Sequence, residues 1–417
     1  MARELPVHFI LDLDDDDCPD SCLHLAAFLG NIQSLREILQ DPLKKDLIRA
    51  RIRPFLSTPL RLAATGGHVE CIEELLENGA EVDEEDIKAQ TPLFVALVNQ
   101  HWSAARTLLE HGANPNGSLR NLCSPLSILC QRGLEQGIQL LCEYGVDTED
   151  ITRIMSGMPG LPLTTCATYH HLRSFVILLL NGAAPDLKTY RNLDLRDFVN
   201  SQCSVPHTVI KYKCPVEFLY LYREFGGNMK LRDAKGLTAS EICDNAPALE
   251  YLRKVQDTPL SLLSQSRLAI RRSLNNKLHE IQNLDIGENL LDILLFKCFS
   301  PSDFDLDKTN EVEMYNNLLN VCRTVQIHEK TPKGRFWRRK LDADVFQFAR
   351  DLEADSLEEN NNQETVFGLP PPIGGGPLPP PVGGGPPPPP PPPVPPKPKL
   401  FRYPGAEGMK KKHFSGY

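Results

Sequence analysis

Between residues 58 and 83 apolar side chains return at helical spacing, not strand spacing. Leu60, Ala63 and Ala64 fall at i, i+3 and i+4, and Ile72, Leu75 and Leu76 repeat that pattern further along. Two short amphipathic helices are therefore predicted, each with one face to bury. Their ends are marked as well. Pro59 stands at the start of the first helix, where a residue has no intrahelical use for an N–H. Gly66 and Gly67 separate the helices, and Gly79 closes the second, as glycine does at helix C-termini. The whole unit recurs. Thr58-Pro59-Leu60 returns as Thr91-Pro92-Leu93 and as Ser124-Pro125-Leu126, 33 residues apart each time. Gly79-Ala80, Gly112-Ala113 and Gly145-Val146 keep the same interval.

A 33-residue period opened by Thr-Pro-Leu resembles the ankyrin repeat. Looser copies extend it. A first runs from Cys22-Leu23-His24-Leu25-Ala26-Ala27 to about Asp41, and a fifth from Leu161-Pro162-Leu163 to Gly182-Ala183. A sixth, eroded copy spans Pro215 to Phe225, and Gly236-Leu237-Thr238-Ala239 opens the start of another. The expected fold class is all-α: an ankyrin-repeat solenoid of about six helix pairs over residues 20–250, after an acidic N-terminal segment, 1–19. Such a stack binds partners through a concave face and projecting loops and carries no chemistry of its own.

Candidate chemistry does little to change this picture. Cys166, His170 and His171 suggest a metal site, but His171 falls nine residues after Pro162, as His68 does after Pro59 and His101 after Pro92. Histidines in one repeat phase read as turn residues that hydrogen-bond backbone, and no metal is expected. The twelve cysteines include no C-x-x-C pair and read as reduced, mostly buried thiols. No nucleophile elbow, zinc-protease helix or P-loop is present. Neither catalysis nor a cofactor is expected. A net charge of −9 disfavours a nucleic-acid role, and no apolar stretch reaches the length of a membrane span. The basic, aromatic octamer Lys333-Gly334-Arg335-Phe336-Trp337-Arg338-Arg339-Lys340 reads as the exposed face of a helix, with nucleic-acid or lipid contact or an import signal as alternatives. The expected compartment is the cytoplasm, with the nucleus as the alternative.

After the repeats, Leu262, Ser266, Ala269, Ile270 and Leu274 share one face of a predicted helix, with Arg267, Arg271 and Arg272 beside it. This stripe suits packing on the last repeat or docking in a partner's groove, and composition favours packing. A second helix is predicted from Gly287 to Phe296. Repeats followed by Ser-Arg-Leu-Ala-Ile-Arg-Arg-Ser-Leu at 266–274 resemble the ankyrin repeat and SOCS box family, most nearly its members 1 and 12, over residues 18–296. The resemblance implies a SOCS-box-like segment, 257–296, whose helix meets elongin B/C through leucine, cysteine and an aliphatic residue four apart. Leu262, Ser266 and Ile270 hold those positions, with serine in place of the family's cysteine. It further implies cullin-5 contact at a Leu-Pro-x-Pro motif, here Leu284-Asp285-Ile286-Gly287, where Leu284 and Ile286 stand without either proline. The implied role is recruitment of a protein target, itself unidentified, to a ubiquitin ligase.

Residues 297–366 read as unassigned and partly helical, around Met314–Val325 and Leu341–Leu352. Half of the 36 prolines then fall between 370 and 398, broken by two glycine triplets. The tail, 367–417, is expected to be disordered polyproline II. It is the basis of an alternative reading, a scaffold that recruits SH3, WW or profilin-type partners.

Overall fold

The computed structural model describes residues 21–121, 123–150, 161–186, 189–190, 193–194, 204–233, 235–256, 258–273, 286–297, 299, 309–325, 336 and 340. The chain divides into two compact units, 1–358 and 359–417, and every described residue belongs to the first. The acidic segment, Leu284, the helix expected at 341–352 and the proline-rich tail lie outside the described residues.

Six helix pairs follow one another: α1 (Cys22–Leu29) and α2 (Ile32–Gln40), α3 (Pro59–Gly66) and α4 (Val69–Glu77), α5 (Pro92–Val98) and α6 (Trp102–Glu110), α7 (Pro125–Arg132) and α8 (Glu135–Glu143), α9 (Pro162–Thr168) and α10 (Leu172–Leu180), α11 (Val205–Lys211) and α12 (Glu217–Glu224). The first helices of successive pairs stack in one layer and the second helices in another. A continuous apolar core runs through the stack, with Leu60, Leu93, Leu126, Ile72, Leu108 and Leu141 fully buried. Apart from a two-residue antiparallel ladder, Thr189–Tyr190 with Leu193–Asp194, the named elements are helical.

The repeated residues act as the pattern implies. Thr58, Thr91 and Ser124 cap α3, α5 and α7, their hydroxyls accepting the N–H of Arg61, Phe94 and Ser127 at 3.3, 3.3 and 2.9 Å. The phased histidines link neighbouring repeats. Nε2 of His68, His101 and His171 donates to the carbonyls of Phe28, Thr65 and Gln131 at 2.9, 3.0 and 3.2 Å. A second ladder joins the loops. The Asp83 carboxylate accepts the Asn114 N–H, Asn116 Oδ1 that of Asp147, Glu149 that of Ala184, and Asp186 that of Asn228.

One feature differs from the sequence expectation. The sixth repeat begins at α11, before Pro215. Its opening Ser204-Val205-Pro206 sets proline one position later than in Thr-Pro-Leu, which hides it from a search for that motif. At Gly236-Leu237-Thr238-Ala239, where the sequence marks the start of a further copy, a seventh, shortened pair follows, α13 (Ala239–Ile242) and α14 (Ala246–Gln256), with Thr238 and Glu241 forming a capping box.

Beyond the solenoid lie α15 (Leu262–Ser273), α16 (Glu288–Leu294) and α17 (Thr309–Thr324). α17 occupies the region whose fold the sequence left unassigned, and it packs on α10. No helix among the described residues is long and apolar enough to cross a membrane.

Candidate docking site

α15 begins where Ser261 accepts the Ser264 N–H at 3.2 Å, and its sequence offers two faces. One carries Leu262, Ser266, Ala269 and Ile270; the other carries Ser264, Arg267, Leu268 and Arg271. The expectation that the apolar stripe packs on the repeats is overturned. The arginine face turns inward: Arg267 and Arg271 are 1% and 2% exposed, whereas Leu262 is 82% exposed and Ser266 and Ile270 also face solvent.

Burying two guanidinium groups costs several kcal/mol each unless other interactions replace their hydration. The end of the solenoid supplies these. Glu224, at the C-terminus of α12, accepts from Ser264 Oγ at 2.7 Å and lies 3.6 Å from the Arg267 guanidinium. Phe225 and Phe296 stack with centroids 3.9 Å apart. Arg267 lies over Phe296 at 4.2 Å and Arg271 is 5.1 Å from the same ring, so one aromatic ring serves two cations. Arg271 also donates to the carbonyls of Leu180 and Leu294 at 3.3 and 3.4 Å, tying α10, α15 and α16 together. Burial, and secondarily the neighbouring Arg267, lowers the Arg271 pKa to about 10, which leaves it charged at neutral pH.

The inward face thus fixes α15, and the outward face is left with Leu262, Ser266 and Ile270 at successive four-residue steps. These three implied elongin contacts stand together on one exposed line. Leu290 of α16 is exposed as well. Of the two implied cullin contacts, Ile286 is half-buried against the core, at the entrance to α16, and Leu284 falls outside the described residues. At the other end of the molecule, Leu56, Ile87 and Leu119 stand exposed at successive loop tips of the early repeats, where sequence reasoning named no residue.

The sequence reading also missed the anchors of α15, because Glu224, Phe225 and Phe296 are distant along the chain. One signal was available. α10 reads Leu-Arg-Ser-Phe-Val-Ile-Leu-Leu-Leu, with Val176 and Leu180 where α4 has Glu73 and Glu77. A second helix without its polar face needs a cover.

These features define an ankyrin-repeat protein with an appended helical segment. A family model for ankyrin repeats in three copies matches residues 23–118. Human ankyrin repeat and SOCS box protein 1 is 34% identical over 304 residues, covering 67% of this chain and 90% of that protein. Mouse ankyrin repeat and SOCS box protein 12 is 37% identical over 248 residues, 57% of this chain and 78% of that protein. The crystal structure of the human ASB11 ankyrin repeat domain covers 58% of this chain and 100% of that domain, at 25% identity and a TM-score of 0.44. The chain belongs to the ankyrin repeat and SOCS box family.

Proposed function

We propose that this chain is a target-recruiting adaptor of a cullin–elongin ubiquitin ligase, holding a protein target on its repeats and elongin B/C on α15. The observation that carries the reading is the orientation of α15. A helix whose Arg267 and Arg271 are buried and whose Leu262–Ser266–Ile270 line faces solvent has its apolar face free for a partner's groove. The adaptor supplies proximity and the other ligase subunits supply the bond-forming chemistry. Residues 20–250 then serve as target holder and 257–296 as docking box. Leu262 is the main elongin anchor, Ile270 extends the contact, and Ser266 sits between them. Cullin-5 contact through Leu284 and Ile286 is the second limb of the proposal. The scaffold alternative rests on the proline-rich tail, and no described residue favours it.

Titration of purified elongin B/C into the full chain tests this. Binding that Leu262→Asp abolishes is the expected result. No binding by the parent chain sinks the reading, and binding that survives Leu262→Asp sinks the assignment of the site. Adding cullin-5 to the assembled complex tests the second limb separately.

A further inference from the structure

The outer faces of the repeats are not alike. α4, α6 and α8 place Glu73, Arg106 and Gln139 at the fifth position and Glu77, Glu110 and Glu143 at the ninth. α10 has Val176 and Leu180 there, both fully buried, with Ile177 buried between them. α17, a helix beyond the docking box, packs on α10. It turns Leu318, Val321 and Cys322 into the core, and Val325 just past its end is buried with them. Its polar side chains tie it to three other parts of the molecule. Asn317 Nδ2 donates to Glu217 Oε1 of α12 at 3.0 Å, and Glu311 pairs with Lys254 of α14 at 3.6 Å. Arg323 Nε donates at 3.0 Å to the carbonyl of Lys297, just after α16. Burial raises the Cys322 thiol pKa to about 12, an effect the Arg267 charge partly opposes.

We propose that α17 is a positioning clasp for the docking helix: packed on α10 by its buried Leu318–Cys322 face, it closes the neighbourhood that holds Arg267 and so fixes the direction in which Leu262 and Ile270 point. This rests on the proposed elongin role of α15, but the clasp itself is testable without elongin. A guanidinium held by Phe296, Glu224 and, at 5.9 Å, Phe299 stays dry only if its surroundings stay closed, and α17 is tied to that neighbourhood through the Arg323 bond to the Lys297 carbonyl, one residue from Phe296. Opened to water, the arginine face loses its advantage and α15 gains freedom to turn its apolar stripe inward. Free elongin-competent conformers then become a fraction of the population, and apparent affinity falls by that fraction.

The test compares the full-length parent with Leu318→Asp/Cys322→Asp and with the surface control Asn316→Asp. Amide hydrogen exchange is followed over residues 262–273 and 288–294, with α3–α6 as internal reference. In the double variant, exchange in α15 and α16 should rise about tenfold while α3–α6 stay unchanged. Elongin B/C affinity should fall by a similar factor, and Asn316→Asp should leave both readouts alone. Unchanged exchange in α15 overturns the clasp. If the double variant loosens the whole chain, Leu318→Ala is the deciding variant: local loosening of α15 and α16 supports the clasp, and none, or uniform loosening, overturns it. Failure of the parent to bind elongin would remove the docking role while leaving the exchange result to judge the clasp.

Discussion

Gly67 shows how much of this solenoid rests on single residues. It caps α3 at φ +76°, and a Cβ built there would sit 2.5 Å from the His101 ring of the next repeat. Gly30 and Gly133 meet His68 and His171 in the same way. The glycine thus serves two ends: it reverses the chain and it leaves room for the histidine that reaches over to bond Thr65. Gly67→Ala should destabilise the fold by about 1–3 kcal/mol from backbone strain, with more from the ring clash. A denaturant midpoint equal to the parent's would contradict this. His24 allows a second test at this scale. It is fully buried, Nε2 donates to the Ala50 carbonyl at 2.9 Å, and burial lowers its pKa, an effect that hydrogen bond partly opposes. Because the folded pKa lies below the unfolded value of 6.5, the unfolded chain takes up the proton first. Stability from this group is therefore complete above pH 6.5 and is lost as pH falls toward the lowered folded pKa. His24→Gln should flatten the acid limb of a stability–pH curve, and an unchanged limb would assign that dependence to other groups. The phased histidines were legible in the sequence because they recur at one position of the repeat, although the carbonyls they bond lie 36–40 residues earlier. His24 was not, because what matters is the insertion at 41–57 that folds over it.

At the scale of elements, α15 shows where pattern reading stops. Helical spacing showed which residues share a face, and that held: Leu262, Ser266 and Ile270 do line up. Which face turns inward was decided by Glu224, Phe225 and Phe296, none of them on the helix, and the default of burying the apolar stripe gave the wrong answer. Leu262 separates the two orientations experimentally. Since it is exposed, Leu262→Ala should shift the melting temperature of the free chain by less than about 0.5 kcal/mol equivalent, as for other surface sites. Against elongin B/C the same change should cost about 2 kcal/mol or more, the range of a central apolar anchor. A large loss of stability without elongin would mean the stripe is buried. Ser266→Cys should strengthen binding by about 1 kcal/mol, since a thiol sheds its hydration more cheaply than a hydroxyl in an apolar groove. Calorimetric titration of both variants reads the two effects with opposite sign.

Across the whole molecule, the 33-residue period predicts near-equivalent repeats, yet the structure builds them unequally. The first four pairs form a single sheath of two helical layers whose outer helices show Glu70, Glu73 and Glu77, or their counterparts, to solvent. The fifth and sixth carry additional cover. α10 is buried from Ser174 to Leu180, α12 buries Phe218 to Tyr222, and α14 to α17 pack around them with Phe299 set edge-on to Tyr220 at 5.4 Å. In a solenoid each repeat is held by its own packing and by its neighbours, so local stability need not be uniform. The extra apolar contact falls on one end, and there opening a repeat must expose both its own core and the cover. The N-terminal pairs can open after losing one interface. Amide exchange under native conditions should therefore show a gradient, with α10 and α12 protected about tenfold or more beyond α2 and α4. Leu180→Glu, which restores the charge found at the ninth position of α4, α6 and α8, places a carboxylate at a fully buried position and should erase most of that gradient by driving the C-terminal cover off. Equal protection along all repeats in the parent chain, or a gradient that survives Leu180→Glu, would mean that the C-terminal helices add no stability to the repeats they cover.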